Sequence, residues 1–136
     1  MRPAAYFDSS VLVKLYDPEE GGAERVRALV RSHTRCASSL LYAEVISTFA
    51  RKRRMGEVDG ARLERALRSF RADYQTMTVV ELSREVLLEA ERILLQYPLR
   101  APDAIHLASA CILRGMGTKP PVVTADRRLA TAAQAE

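Results

Sequence analysis

Leu99–Ala110, LRAPDAIHLASA, reads as the start of a helix that is apolar on nearly every side, as a central, fully covered helix would be. Pro102 suits a first helical position, where its missing N–H costs nothing. One acid, Asp103, stands in the first turn. Its plainest role there is to answer the positive end of the helix dipole, worth ~0.3–1 kcal/mol. That role becomes less sufficient because three other acids, Asp8, Glu44 and Asp126, occupy similar places at the heads of other elements.

Before this helix, Ala4–Phe7 forms a short apolar run broken by Asp8, Ser9 and Ser10. It predicts a buried strand, a tight turn with a capping serine, and a short helix to Tyr16 that ends at Asp17-Pro18 and Gly21-Gly22. Ala23, Val26, Leu29 and Val30 predict a second helix to Ser32, and Thr34–Ser38 a second strand. Ser38 or Ser39 then caps a helix to Arg54 with a buried stripe of Leu41, Val45, Thr48 and Phe49. From Asp59, Leu63, Ala66, Leu67, Phe70 and Tyr74 mark its antiparallel partner, with Arg62, Arg65 and Arg68 toward solvent. Thr76–Val80 is the third strand. Ser83 caps a helix whose inward residues are Val86, Leu87, Ala90, Ile93 and Leu94.

Beyond the Leu99–Ala110 helix, which ends at Gly115 or Gly117, Val122–Thr124 is the fourth strand and Arg128–Ala135 the last helix. Strands alternating with helices predict an α/β fold with a mostly parallel sheet, whose ligands sit beyond the carboxyl ends of the strands at the switch point in strand order. Asp8 and Asp126 point to that rim.

The whole chain, residues 1–136, fits a single domain, and 48% hydrophobic with 28% charged residues is ordinary globular composition. MRPAAYFD has no apolar signal region, and no apolar run approaches the ~20 residues of a membrane span, so the expected location is the cytoplasm. Cys36 and Cys111 read as buried thiols in a reducing compartment. The net charge is +4, but Arg51–Arg71 alone carries eight basic and three acidic residues. Such a local excess either solvates a helix face or meets phosphate backbones.

Glu44 is the least comfortable of the four acids, lying three residues after Leu41 and four before Thr48 on an otherwise apolar stripe. A carboxylate on a core face needs a partner or a job. Two carboxylates ~4 Å apart repel by ~4 kcal/mol at an effective dielectric of ~20, so four together call for protons or a cation. With no Cys or His grouping the ligands are oxygens, which suits Mg²⁺ or Mn²⁺. A hard cation at a sheet rim handles phosphates, polarising a phosphoryl oxygen and acidifying water.

YFDSSVLVKLY around Asp8, SSLLYAEV around Glu44, LRAPDAIHLASA around Asp103 and VVTADRRL around Asp126 together resemble a PIN domain, closest to the VapC-type toxin ribonucleases of VapBC toxin–antitoxin systems. The resemblance spans nearly the whole chain in the family's motif order. It implies a PIN-like parallel sheet in the order 3-2-1-4, with or without the family's fifth edge strand, flanked by helices. It implies a Mg²⁺- or Mn²⁺-dependent endoribonuclease, a phosphodiester hydrolase, in which Asp8, Glu44, Asp103 and Asp126 are both the catalytic set and the metal ligands. Ser9 or Ser10 and Thr124 match the small hydroxyl positions that steady the site. The partners implied are an RNA substrate, a cognate antitoxin protein and a second copy in a homodimer.

Arg51, Lys52, Arg53, Arg54 and Arg127 are the RNA-contact candidates, as positions that would hold a strand without reading its sequence. Lys14 and Arg100 have either phosphate or surface roles. His106, three residues after Asp103, reads chiefly as a packed histidine, and His33 as a loop residue. Two rival readings stand beside the nuclease. One is a PIN-like module that binds without cutting. The other is a receiver-like phosphoacceptor, which needs an aspartate after the third strand where Val80 leads into Glu81.

Overall fold

The computed structural model describes residues 2–17, 19 and 21–136; Pro18, read as part of the first helix break, lies outside them. Four strands, β1 (Ala4–Phe7), β2 (Thr34–Ser38), β3 (Thr78–Val80) and β4 (Val122–Val123), form one parallel sheet in the order β3-β2-β1-β4. Ala4 pairs with Thr34, Tyr6 with Cys36 and Val122, and Cys36 with Thr78. β1 and β4 are therefore neighbours although most of the chain separates them, which sets the switch point at the ends of these two strands.

Among the described residues seven helices cover both faces: α1 (Ser9–Tyr16), α2 (Ala23–Ser32), α3 (Leu40–Arg54), α4 (Gly60–Tyr74), α5 (Arg84–Gln96), α6 (Ala101–Gly115) and α7 (Arg127–Ala135). The period-two alternation of β1 divides the core. Ala5 and Phe7 pack with Leu12, Val26, Leu41, Phe49 and Phe70 on the α1–α4 side, while Tyr6 turns to Cys36, Ala110 and Leu113 under α6. A further cluster of Val86, Ala90, Ile93, Ala104, Leu107 and Leu129 joins α5, α6 and α7. α6 is buried at seven positions, from Ala104 to Leu113. Gly56, at φ +75°, lets the chain reverse between α3 and α4.

Several sequence expectations change. Asp8, not a serine, is the residue preceding α1, and its carboxylate does not cap that helix. Of the two serines expected to cap α3, Ser38 accepts from Leu40 N–H at 3.1 Å at the start of the helix, whereas the Ser39 hydroxyl accepts from Leu82 N–H. Thr76 and Met77 form a turn before a shorter β3, and Thr124 falls just past β4. Leu87 and Leu94 are 50% and 39% exposed, because α5 packs through the narrower seam of Val86, Ala90 and Ile93. Arg62 does not point to solvent. Its guanidinium turns back to the buried Asp17, which also takes Lys52 Nζ at 2.7 Å. Cys36 is buried as expected, whereas Cys111 is only half-buried; both are free thiols. No helix is long and apolar enough to cross a membrane, and no fifth strand follows α7 among the described residues.

Candidate active site

Each candidate acid is delivered to the carboxyl rim of the sheet by a different element. Asp8 directly follows β1 and is 3% exposed. Its two carboxylate oxygens accept from hydroxyls on either side: Ser10 Oγ to Oδ1 at 2.6 Å and Thr124 Oγ1 to Oδ2 at 2.6 Å. The same hydroxyl oxygens accept from Ala125 N–H at 3.1 Å and Asp126 N–H at 3.0 Å, which ties the end of β4 to the end of β1. Ser10 therefore fills the hydroxyl position left open between Ser9 and Ser10, and Ser9 lines the neighbouring cleft.

Asp126 caps α7, its Oδ1 accepting from Arg128 N–H at 2.8 Å and Leu129 N–H at 3.2 Å. That commits one oxygen to the helix and leaves the other outside the cap. Asp103 stands in the first turn of α6, its side chain 16% exposed. Burial raises its carboxyl above the ordinary range, and the negative charges of Asp126 and Asp8 push the same way, with Arg100 and His106 opposing. These three aspartates thus share one electrostatic environment. Arg100 is the cation nearest Asp103, at 3.9 Å, and its side chain is 81% exposed.

Glu44 arrives from the second turn of α3 and hydrogen-bonds His106 Nε2. His106 is 1% exposed, and its Nδ1 lies 2.9 Å from the Tyr6 hydroxyl. The partner that an acid on the α3 stripe requires is thus a histidine, backed by a tyrosine that sequence reasoning missed. The available signal was the position of His106, one turn from Asp103 on the same helix.

Among the described residues, no three of the four acids bring their carboxylate oxygens within 4.8 Å of one another. The potential ligand atoms that do come so close are the carboxylate oxygens of Glu89 and Glu136 with the Cys111 sulfur, and Cys111 lies about two turns along α6 from Asp103. There the Arg92 guanidinium already bridges Glu89 and Glu136 at 2.5 Å each. At the rim the donors are all carboxylate and hydroxyl oxygens, and like charge is left in excess. Both features fit a hard divalent cation such as Mg²⁺, which usually keeps several waters and takes only one or two carboxylates directly.

A cleft of about 870 Å³ opens beside Glu44 and Ser10. Lys14, Arg51, Lys52 and Arg100 line it together with Thr48. Of the basic candidates on α3, Arg53 and Arg54 are exposed outside this lining, and Arg127 is exposed at the head of α7. Lys14 also donates to the Gly21 carbonyl at 3.0 Å.

The profile of the PIN domain family matches residues 5–135. The chain belongs to the PIN domain family. Two relatives from Mycobacterium tuberculosis are each 32% identical over 133 residues, covering 98% of this chain and 91% of theirs: Ribonuclease VapC45 of strain CDC 1551 / Oshkosh and Ribonuclease VapC49 of strain ATCC 25618 / H37Rv. This PIN domain is therefore homologous to VapC-type toxins of VapBC systems. Among solved structures, M. tuberculosis VapC20, a sarcin-ricin loop cleaving toxin, aligns with a TM-score of 0.69 at 16% identity over 95% of both chains. A toxin–antitoxin complex from Klebsiella pneumoniae aligns at 0.68 with 20% identity, over 93% of this chain and 91% of that one. VapBC2 from Rickettsia felis, bound to a promoter DNA fragment, aligns at 0.64 with 10% identity over 90% and 88%. These three likenesses concern the PIN fold itself.

Proposed function

We propose that this PIN domain is a Mg²⁺- or Mn²⁺-dependent endoribonuclease, the toxin of a type II toxin–antitoxin pair, acting in the cytoplasm. The observation that carries this reading is the burial of Asp103 beside Asp8 and Asp126 at the switch point, where one exposed arginine, Arg100, faces three carboxylates. Asp8, Glu44, Asp103 and Asp126 would hold the ion or ions. A divalent cation bound there supplies a polarised phosphoryl oxygen and a water acidified toward neutral pH.

The chain's own residues do the rest. Ser10 and Thr124 fix the Asp8 carboxylate through both oxygens, so its direction does not depend on the ligand. A carboxylate of the set would take the proton from water as the water oxygen bonds to phosphorus in line with the leaving oxygen, whose P–O bond breaks and which takes a proton from solvent. Lys14, Arg51 and Arg100 along the cleft would hold phosphates on one side of the scissile bond, positioning the strand while leaving its sequence unread. An antitoxin partner and a homodimer are proposed from the kinship with VapC proteins and the likeness to toxin–antitoxin complexes.

The test is to sequence RNA ends after incubation with Mg²⁺, with Asp103→Asn protein as control. Discrete new ends that disappear with chelator and return with Mg²⁺ or Mn²⁺ are expected. Cleavage that persists in Asp8→Asn or Asp103→Asn protein overturns the reading. RNA retained without cleavage points instead to a binding-only module.

A further inference from the structure

Glu44 reaches the rim differently from the three aspartates. Asp8 and Asp126 each precede a helix and Asp103 opens one, so short side chains on ordered backbone set their positions. Glu44 projects from within α3 on a longer side chain, 25% exposed. A glutamate of that kind samples several rotamers unless something holds it. Its carboxylate has one hydrogen-bond partner among the described residues, His106 Nε2.

The histidine is itself held. Its Nδ1 lies 2.9 Å from the hydroxyl of Tyr6, a fully buried residue at the middle of β1, and the two rings meet edge-on with centroids 6.0 Å apart. A tyrosine phenol, which ordinarily titrates at about 10, keeps its proton at neutral pH. A protonated phenol can donate to Nδ1, and a carboxylate can only accept. The pattern that satisfies every group places the ring proton on Nε2, giving a run of donors from Tyr6 O–H to His106 and from His106 Nε2–H to Glu44. Tyr6 precedes Asp8 by two residues, and His106 follows Asp103 by three. The run is thus mounted on the same strand and helix that carry two of the aspartates.

We infer that His106 is a positioning residue, which with Tyr6 behind it holds the Glu44 carboxylate at the rim, so that Glu44 serves with the aspartates as a cation ligand. This rests on the ribonuclease reading above. Partners that orient a metal-binding carboxylate typically change metal affinity by about 10- to 100-fold when removed.

The experiment is calorimetric titration of Mn²⁺ into wild-type, Glu44→Gln, His106→Leu, His106→Gln, Tyr6→Phe and Asp8→Asn proteins and the His106→Leu/Glu44→Gln double variant. Thermal melts and steady-state cleavage are measured alongside. His106→Leu is expected to weaken Mn²⁺ by about 10- to 100-fold. His106→Gln, whose amide N–H can replace Nε2–H, recovers most of that loss. Tyr6→Phe loses about fivefold, the worth of one ordinary hydrogen bond. The double variant binds no more weakly than Glu44→Gln alone, because the histidine acts through the glutamate. In cleavage assays kcat falls with affinity while KM for RNA holds.

Wild-type affinity in His106→Leu, additive losses in the double variant, or no recovery in a cooperatively melting His106→Gln protein each overturns the inference. If His106→Leu does not fold, Tyr6→Phe and His106→Gln decide the matter. Weak binding in His106→Gln with no change in Tyr6→Phe overturns it. Wild-type protein that takes up no Mn²⁺ overturns the ribonuclease reading and this inference together. Binding that is lost in Asp8→Asn but unchanged in His106→Leu overturns the inference alone.

Discussion

Asp17 and Asp103 are both carboxylates taken largely out of water, and the protein treats them in opposite ways. Asp17, 5% exposed at the end of α1, receives Lys52 Nζ at 2.7 Å and Arg62 Nη2 at 3.2 Å. Burial alone would raise its carboxyl, but Lys52, the Glu19 N–H that donates to it at 3.3 Å, and Arg62 together reverse the effect and leave it lowered. Asp103 has burial, Asp126 and Asp8 pushing its carboxyl upward, and the exposed Arg100, 3.9 Å away, together with His106 does not offset them. An acid that joins helices brings its own countercharge, because an unpaired buried charge costs several kcal/mol. An acid left short of countercharge among its own kind is an arrangement held for something else.

The sharpest way to break the contrast is to remove one carboxylate from each place and read activity per folded molecule. Asp8→Asn and Asp103→Asn should each lower RNA cleavage by at least about 100-fold, with cooperative melting retained. Asp17→Asn should cleave like wild type once the folded fraction is equalised. Loss of cleavage in folded Asp17→Asn protein would erase the distinction between the two acids.

Stability should answer in the other direction. Asp17→Ala removes the buried acid that Lys52 and Arg62 share at the α1–α3–α4 corner and should cost about 2 kcal/mol in chemical denaturation, below the figure for fully buried pairs because both cations retain some exposure and Arg62 keeps Glu19 at 3.5 Å. An unchanged denaturation midpoint would reduce the cluster to a surface ion pair.

The pH dependence separates the two acids by sign. Asp17 titrates lower in the folded than in the unfolded chain, so its stabilisation is present above the unfolded carboxyl value of about 3.9 and is lost as pH falls through the lowered folded value. Asp103 titrates higher when folded, so the folded state binds the extra proton. Its favourable contribution is present below the unfolded value and is lost as pH rises through the raised folded one. Metal-free Asp103→Asn protein should therefore be more stable than wild type at neutral pH, by less than Asp17→Ala loses, with the gap closing near pH 4. Adding Mg²⁺ should raise the wild-type melting temperature and leave that of Asp103→Asn unchanged. A wild type more stable than Asp103→Asn at neutral pH without metal would contradict the charge excess.

What could be read from the sequence was local. β1, β2 and α2 follow from runs and stripes a few residues long, and their bounds match the expectation from Ala4, Thr34 and Ala23 onward. Asp126 shows both of its possible readings at once, since its carboxylate caps α7 and also raises Asp103. The unread features were pairings across the chain. His106 meets Glu44 from 62 residues away, and Asp17 draws Lys52 and Arg62 from 35 and 45 residues away. No periodicity encodes such meetings. The outward turn of Leu87 and Leu94 was hidden for a related reason: hydropathy marks an apolar side chain but does not say how wide a seam its helix has to fill.

The smallest effect concerns the basic run closing α3, where adjacent cations have different surroundings. Arg51 lines the cleft beside Glu44. Lys52 lines it too, but its ammonium is drawn to Asp17 at 2.7 Å, so part of its role is structural. Arg53 and Arg54 are exposed outside the cleft lining. If the run met RNA merely through net charge, all four would contribute alike, and each alanine variant would shift KM by a similar amount. If the cleft guides the strand, Arg51→Ala should raise KM a few-fold, while Arg53→Ala leaves it unchanged. The salt dependence supplies an independent reading. One lost phosphate contact on a single strand flattens the slope of log affinity against log salt by about 0.7, and only Arg51→Ala should show it. Equal slopes for Arg51→Ala and Arg53→Ala would place the strand elsewhere on the surface and leave the cleft without that role.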